Sequence, residues 1–487
     1  MSSSSRSRHP GLNKFVSSPR GAQETGVRSL WNIVASSGLS PTGQLLGQNG
    51  SLALADLAGA SALGDSLEAF DDRSVLLCLH DHFHTAIAML ELDGIARRIV
   101  LCTPDLSREA LSAVAVAAEA DRILVDTHSP IDTTGLGERQ EMRGMPVSAG
   151  SPPDRTARRA TQWILLTSGT TGIPKLVEHS LETLAGGLPQ PSMHADATVW
   201  STFYDIRRYG GLQIFLRAII GGGPMLLAAP GESTSAFLSR AAAAGVTHMS
   251  GTPSHWRKAL MSGATALIRP RYVRLSGEVA DQALLDSLHA GFPDARIVHA
   301  FASTEGGLAF EVDDGLAGFP AHYLDGPRAA VNLKVESSTL RVRSARVAIR
   351  YLGPATLPIR LDDGFVDTGD LIEHVGDRCY FRGREGGVIN VGGLKVYPEE
   401  VEATLNADSR VRMSLVRGRR NPITGALVVA EVVLADAEAG SEQGEQIAKE
   451  LLGICRRSLA PHKVPTVLRI VPALNVSAAG KLVRSHA

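Results

Sequence analysis

Between Thr167 and Lys175 the chain reads TSGTTGIPK, in which the hydroxyls of Thr167, Ser168, Thr170 and Thr171 accompany Gly169, Gly172 and the ammonium of Lys175. Glycine lets a backbone turn tightly and come close to a ligand. Successive backbone N–H groups in such turns form a concave anion site, and hydroxyls and a lysine add donors and positive charge. The guest that fits best is a polyphosphate. The order is not that of a Walker loop, because Pro174 directly precedes Lys175 and Leu176 follows it. Standing alone, the stretch also reads as an ordinary turn.

Four further stretches carry chemistry. In FASTEGG, residues 301–307, an aromatic ring, a hydroxyl and a carboxylate follow a strand-like run. Phe301 can offer a flat face to a base, Thr304 can reach a phosphate, and Glu305 supplies the hard oxygen that Mg²⁺ prefers. In DTGDL, residues 367–371, Asp370 ends an extended segment, where a carboxylate can accept two neighbouring hydroxyls. Gly392 and Gly393, in VGGLKVYPEEVE, leave room for a thin arm to pass the backbone. Lys481, in AAGKLVR, puts an ammonium on a terminal segment that can swing toward a phosphate and steady charge there.

In this order, and with GREGGVINVGGLKVYPEEVE at residues 383–402, these stretches resemble the signatures of the adenylate-forming (acyl/aryl-CoA synthetase, AMP-binding) superfamily. Acyl- and aryl-CoA synthetases, nonribosomal adenylation domains and beetle luciferases belong to it. The resemblance runs from Thr167 to the C-terminus; before Thr167 it rests only on alternating strand and helix texture. It implies that Thr167, Ser168, Gly169, Thr170, Thr171, Gly172 and Lys175 hold the β- and γ-phosphates of ATP. Phe301 then faces adenine, Thr304 the α-phosphate, Glu305 the Mg²⁺ ion, and Asp370 and Arg384 the ribose. Lys481 acts in catalysis with Thr304 and Glu305, while Gly392 and Gly393 line the path of a pantetheine thiol.

The implied activity is an AMP-forming acid–thiol ligase that uses ATP, Mg²⁺ and, as co-substrate, coenzyme A. A carboxylic acid becomes an acyl-adenylate, and the thiol of CoA then takes the acyl group. The alternative is a stand-alone adenylating enzyme that loads a separate carrier protein. The chain departs from the family at Ala302, where glycine is usual, at Asn475, where proline is usual, and at Gly386, where the hinge is commonly acidic or a lysine. In TFYDIRRYGGLQ, where many acyl- and aryl-CoA synthetases carry a histidine before a glycine, Arg207, Arg208 and Tyr209 occur instead. An arginine there would favour an acid with a polar or second anionic group, and Asp205 raises the lesser alternative of an amino acid held by its α-amine.

Other features read as structural. HDHFH, His80 to His84, resembles a metal cluster, but histidines between a strand and a helix are more often loop contacts, with Asp81 as an N-cap. His179, His255 and His299 have no motif-level partner for a catalytic dyad. Arg341, Arg343, Arg346 and Arg350 alternate along strand-like sequence and are expected on a solvated face.

The elements that must position these residues follow from periodicity. SVLLCL, RRIVLCT and RILVDT read as strands; HTAIAMLELDGIA reads as a helix ending at a glycine, and DLSREALSAVAVAAEA as a helix behind an acidic cap. Their alternation predicts a parallel sheet covered by helices. The pattern recurs from GLQIFLRAII to ARIVHAF, so two α/β layers are expected, followed after Gly326 by antiparallel strands. The fold class is therefore α/β: a large N-terminal domain of layered α/β subdomains plus a β-rich subdomain, with a small mobile α+β C-terminal domain. The expected division is a disordered leader over 1–25, a large domain over 26–384 and a small one over 385–487. The joint is expected at GREGG, residues 383–387, since glycines tolerate large dihedral changes.

Composition bounds the rest. A 487-residue chain exceeds one ordinary core. A net charge of −1 gives no electrostatic case for nucleic acid or an anionic membrane. No apolar run is long enough to span a bilayer. Four scattered cysteines argue against a disulfide framework and for a reducing, cytoplasmic setting. The Ser- and Arg-rich start lacks the apolar core of a secretory signal; a transit peptide would share its composition, but a disordered leader is the favoured reading.

Overall fold

A computed structural model describes residues 27–36, 43–63, 66–148, 152–167, 173–188, 198–353, 358–421, 425–435, 440–476 and 481–482. The expected leader and the loop residues Ser168, Gly169, Thr170, Thr171 and Gly172 lie outside the described residues.

The first layer forms as the apolar runs predict. Ser74–Cys78, buried at every position, lies between Arg98–Leu101 and Arg122–Asp126, parallel to both, and Gln162–Thr167 extends the sheet beyond Arg98–Leu101. Strands apolar on both faces require helices on both faces. Helix His82–Leu92 is capped by Asp81, whose side chain accepts from the Phe83 N–H at 2.8 Å, as expected. It ends before Gly94, whose φ of +89° and packing against Ser29 admit no side chain. The expected acidic cap of the next helix, Arg108–Ala117, is instead Ser107; Asp105 reaches away to Arg208 at 3.3 Å. Lys175–His179 turns back antiparallel to Gln162–Thr167, so the hydroxyl-and-glycine stretch joins two paired strands, with Thr167 opposite Lys175.

The second layer is an eight-stranded sheet. Its parallel strands Trp200–Thr202, His248–Gly251, Tyr272–Ser276 and Arg296–Ser303 are closed by antiparallel Gly307–Val312. Helix Tyr209–Ile220 is buried along nearly its whole length and shares one core with Leu77, Leu101, Trp163 and Leu165 of the first sheet. A helix apolar all round is what a position between two sheets demands. A five-stranded antiparallel sheet follows, in which Val366–Val375 pairs with Arg378–Arg384 around a core of Phe310, Phe319, Tyr323 and Ile372.

After a short turn at Glu385–Gly387 come the hairpin Ile389–Val391/Leu394–Val396, helix Pro398–Asn406, strands Val411–Asn421 and Gly425–Leu434, helix Glu442–Ser458 and strand Val467–Ile470. Val396, Val401, Leu405, Val416, Val432, Leu451 and Cys455 give this unit its own core.

The arginines from 341 to 350 do not form one solvated face. Arg341 bonds Glu336, Arg343 lies over the Phe365 ring, Arg346 donates to the Leu308 carbonyl, and Arg350 pairs with Glu178 at 2.7 Å. All four cysteines are free and buried. Among the described residues, no helix is long and apolar enough to cross a membrane.

Candidate active site

Lys175 opens its strand with an exposed ammonium 5.2 Å from the centroid of the Tyr351 ring. Tyr351 lies on Arg350–Leu352, paired alongside Lys175–His179, and its hydroxyl donates to Glu305 Oε1 at 3.1 Å. Burial and the neighbouring Glu305 carboxylate push the Tyr351 phenol up, so the hydroxyl stays protonated. Three sequence-distant groups thus meet: the cation beside the expected phosphate loop, a phenol, and the expected metal ligand. The Glu305 backbone is held as well, its carbonyl accepting from the Ala348 N–H at 2.9 Å.

Thr304 is fixed by a residue that carried no motif. His179, fully buried, points Nε2 at the Thr304 carbonyl at 2.8 Å and Nδ1 at the Thr183 hydroxyl at 2.9 Å. A carbonyl only accepts, so Nε2 holds the proton and the ring is neutral. Burial lowers its pKa to about 4, outweighing the carbonyl that favours protonation. His179 therefore has a defined partner after all, and it ties the phosphate-loop hairpin to Thr304. One position beyond Phe301 the strand pairing slips, between Phe301 and Ala302, so the unusual alanine sits at a bulge. Gly307 closes the turn at φ +73°, where a Cβ would lie 2.6 Å from the Arg346 carbonyl.

Asp370 and Arg384 face each other across Val366–Val375 and Arg378–Arg384, with Arg384 Nε donating to Asp370 Oδ1 at 3.2 Å. The second carboxylate oxygen, Asp370 Oδ2, is shut off from solvent and has no hydrogen-bond partner among the described residues. Burial raises the Asp370 pKa, with Arg384 opposing. A buried acceptor left unmet costs about 1–3 kcal/mol. A vicinal diol would meet it, so the donor set fits a ribose. Phe301 stacks on Phe381, ring centroids 4.9 Å apart at 19°, and on Phe310 at 5.7 Å and 23°. The expected base platform is thus a shelf of several rings, and Phe381 shares a strand with Arg384.

Lys481 reaches this cluster. Its side chain crosses Gly277, where a Cβ would stand 3.2 Å from Lys481 Cε and 3.7 Å from Nζ. Loss of surrounding water lowers the Lys481 pKa, Arg384 and Arg208 add to the effect, and Glu278 and Asp370 resist it. Arg384 in turn feels both Asp370 and Glu305. Of the expected site residues, Thr167, Lys175, Phe301, Thr304, Glu305, Asp370, Arg384, Gly392, Gly393 and Lys481 are described, and Lys175, Phe301, Thr304, Glu305, Asp370, Arg384 and Lys481 form one connected neighbourhood. Gly392 and Gly393 are not in it. They turn the hairpin Ile389–Val391/Leu394–Val396 at φ +59° and +88°, a side chain there would meet open space, and the Gly393 N–H is held by Asn390 Oδ1 at 2.8 Å.

The arginine pair behaves differently from its expectation. Arg207 is buried and fully engaged: Nε and Nη2 bond Asp205 at 2.7 and 2.8 Å, Nη1 reaches the Leu79 carbonyl, and Nη2 lies 3.0 Å from His82 Nε2. His82 and Arg207 hold Asp205 far below the usual carboxylate range against the effect of burial. Arg207 and Asp205 are engaged with each other, so neither the anionic reading through Arg207 nor the amino-acid reading through Asp205 gains support here. Arg208 turns the other way, to Asp105 and toward Lys481. The histidine stretch resolves into loop contacts: His84 Nδ1 lies 2.6 Å from Asp126, and His82 meets Asp205 and Arg207.

The residues that sequence reasoning missed are Tyr351, His179 and Glu278. Glu278 Oε2 accepts the Ser254 N–H and Oε1 the Leu482 N–H, each at 2.9 Å.

A family model for the AMP-binding enzyme matches residues 56–333, and one for the AMP-binding enzyme C-terminal domain matches residues 400–481. Acetyl-coenzyme A synthetase 2 of Candida albicans is 34% identical over 122 residues, covering 25% of this chain and 18% of that protein. The match to that relative therefore spans under a fifth of its length. The 2-succinylbenzoate–CoA ligase of Listeria innocua is 26% identical over 348 residues, covering 67% of this chain and 69% of that protein. Among solved structures, a benzoate CoA ligase from Burkholderia xenovorans has the same fold, with a TM-score of 0.78 at 18% identity, covering 94% of this chain and 99% of that one.

Proposed function

Since the chain belongs to the AMP-binding enzyme family, we propose that it is an AMP-forming acid–thiol ligase: it converts a carboxylic acid and ATP into an acyl-adenylate and passes the acyl group to CoA. The observation that carries this reading is the convergence on one cleft of an unmet buried carboxylate oxygen at Asp370, its partner Arg384, and the tail ammonium of Lys481.

The ribose diol of ATP donates to Asp370, the base lies along the Phe301 shelf, and Thr167, the loop after it and Lys175 receive the β- and γ-phosphates. Glu305, oriented by the Tyr351 hydroxyl, is the residue that would hold Mg²⁺, which when bound neutralises phosphate charge. Thr304, fixed through its backbone by His179, faces the α-phosphate. Lys481 steadies negative charge as the acid oxygen attacks the α-phosphorus and pyrophosphate leaves.

Lys481 seated on the cleft while Gly392 and Gly393 face open space corresponds to the first half-reaction. The second requires the unit 385–487 to turn on the large unit 26–384 about residues 383–387 and bring the glycine hairpin in. Gly386, where a side chain would meet nothing within 4 Å, imposes no steric limit on that turn. Four free, buried cysteines fit a cytoplasmic location.

The test is acid-dependent exchange of pyrophosphate into ATP across a broad panel of acids, followed by AMP release with CoA and with a phosphopantetheinylated carrier protein. Exchange with at least one acid, and faster AMP release with CoA, is the expected result. No consumption of ATP with any acid would overturn the proposal, and acceleration by carrier protein alone would move the acceptor from CoA to a protein.

A further inference from the structure

We propose that Glu278 is a positioning residue for Lys481: its carboxylate clasps the tail by the Leu482 amide and fixes which residue of the tail lies over the cleft. The inference rests on the adenylation reading above and adds to it the device that delivers the lysine.

The carboxylate is anchored from the large unit. Helix Pro253–Met261 begins at Thr252, whose hydroxyl accepts from the His255 N–H at 3.0 Å, which leaves the Ser254 N–H for Glu278 Oε2 at 2.9 Å. A carboxylate is favoured at a helix N-terminus, so Glu278 is held by both a hydrogen bond and the helix dipole. The other oxygen, Oε1, is thereby aimed outward and receives the Leu482 N–H at 2.9 Å. Two neighbouring residues of one segment meet two of the other: Lys481 lies across Gly277 while Leu482 bonds Glu278.

This contact holds the Leu482 amide beside Glu278 while Lys481 lies across Gly277, so the two together define the register. Sliding the tail by one residue would leave a different side chain over Gly277. Gly277 itself, at φ +88° and 3.2 Å from Lys481 Cε by its missing Cβ, allows the lysine to lie flat. The same short segment seats the rest of the small unit. Asp281 accepts from Asn406 Nδ2 at 3.3 Å and pairs with Arg257, and Arg257 donates to the Arg412 carbonyl at 3.3 Å. Glu278 and Asp281 thus engage the tail and the helix Pro398–Asn406 from one side of the joint. These contacts break when the small unit turns, so the lysine is delivered only in the seated state.

The experiment compares Glu278→Ala, Glu278→Gln, Leu482→Pro and Leu482→Ala with the parent in the two half-reactions. Losing a charge-assisted hydrogen bond should lower the rate of acid-dependent pyrophosphate exchange by about ten- to a hundredfold in Glu278→Ala. Thiolysis of a supplied acyl-adenylate should change by less than about threefold. Glu278→Gln, which keeps an acceptor, should recover part of the loss. Leu482→Pro, which removes the N–H, should reproduce it, Leu482→Ala should lose less, and the Glu278→Ala/Leu482→Pro double variant should be no worse than the poorer single one. Equal damage to both half-reactions in Glu278→Ala, or a Leu482→Pro that behaves like Leu482→Ala, would overturn the clasp. Amide hydrogen exchange decides independently of turnover: with ATP present, the peptide bearing Leu482 should exchange faster in Glu278→Ala than in the parent, and equal rates would reject the contact. A parent that never consumes ATP would refute the ligase reading, while the exchange measurement would still judge the clasp.

Discussion

Lys481 combines two roles that pull on its proton in opposite ways. Its ammonium is wanted beside phosphate, yet loss of water and the nearby Arg384 lower its pKa from the ordinary lysine value. In the proposed reaction the protonated form is the active one, so adenylation should fall as pH rises through that lowered pKa, earlier than an unperturbed lysine would impose. A pyrophosphate-exchange profile on the basic side tests this. Lys481→Ala should cut exchange by at least about a hundredfold and leave thiolysis of a supplied adenylate nearly intact; equal loss in both would deny the lysine its role. Glu305 makes the companion case. Glu305→Gln keeps an acceptor for the Tyr351 hydroxyl but loses the charge, so the Mg²⁺ titration should shift to higher concentration, several-fold or more. A titration that superimposes on the parent would remove Glu305 from the metal site.

At the scale of elements, the site depends on buried polar ties between strands and helices. His179 joins the hairpin to the Thr304 carbonyl as a neutral ring with a pKa of about 4, below its unfolded value near 6.5. A depressed histidine binds its proton more weakly in the folded state, so it does not alter stability above pH ~6.5 and withdraws stability as pH falls toward 4. The loss should reach about 2 kcal/mol by pH ~5, and His179→Asn should lose less over the same interval in urea unfolding. Glu311 is the second tie: it bonds Arg274 at 3.1 Å and Arg217 at 3.5 Å, linking Tyr272–Ser276 and Gly307–Val312 to the helix Tyr209–Ile220. Glu311→Gln would leave two inward-facing guanidinium groups without their shared anion, which should cost about 3–5 kcal/mol in denaturant unfolding.

These ties also mark how far the sequence could be read. Elements that announce themselves by period, such as SVLLCL and GLQIFLRAII, stand where periodicity predicts them. The family was legible too, because the signature stretches keep their characteristic groups close in sequence. What stayed hidden were contacts made between distant residues. His179 and Thr304 are brought together by two different sheets, Tyr351 of one sheet and Glu305 of a turn in the other by a side-chain hydrogen bond, and Glu278 and Leu482 by the seating of one unit on another. The two arginines could not be told apart in the sequence for a related reason. Arg207 and Arg208 are neighbours, but only the fold decides that one is sealed against Asp205 while the other turns toward the cleft.

For the whole molecule, the proposed cycle makes the seated small unit and the outward glycine hairpin one of two working states. Gly393→Leu tests the other. At φ +88° a leucine strains only the exposed turn, so pyrophosphate exchange should hold within about threefold, while transfer to CoA should fall by tenfold or more. Equal effects on both steps would remove the hairpin from the thiol path.

The cysteines hold a practical consequence. Cys78 and Cys102 sit in the first sheet, Cys379 in the β-rich unit and Cys455 in the small unit, all four inaccessible. Burial pushes the Cys455 thiol up to about 11, and burial raises Cys379; Cys102 is raised first by its neighbour Cys78 and then by burial. Alkylating reagents, which need an accessible thiolate, will therefore register each compartment only when it opens. The unmodified chain carries its own clocks, and the order in which these thiols become labelled will give the order in which its parts come undone.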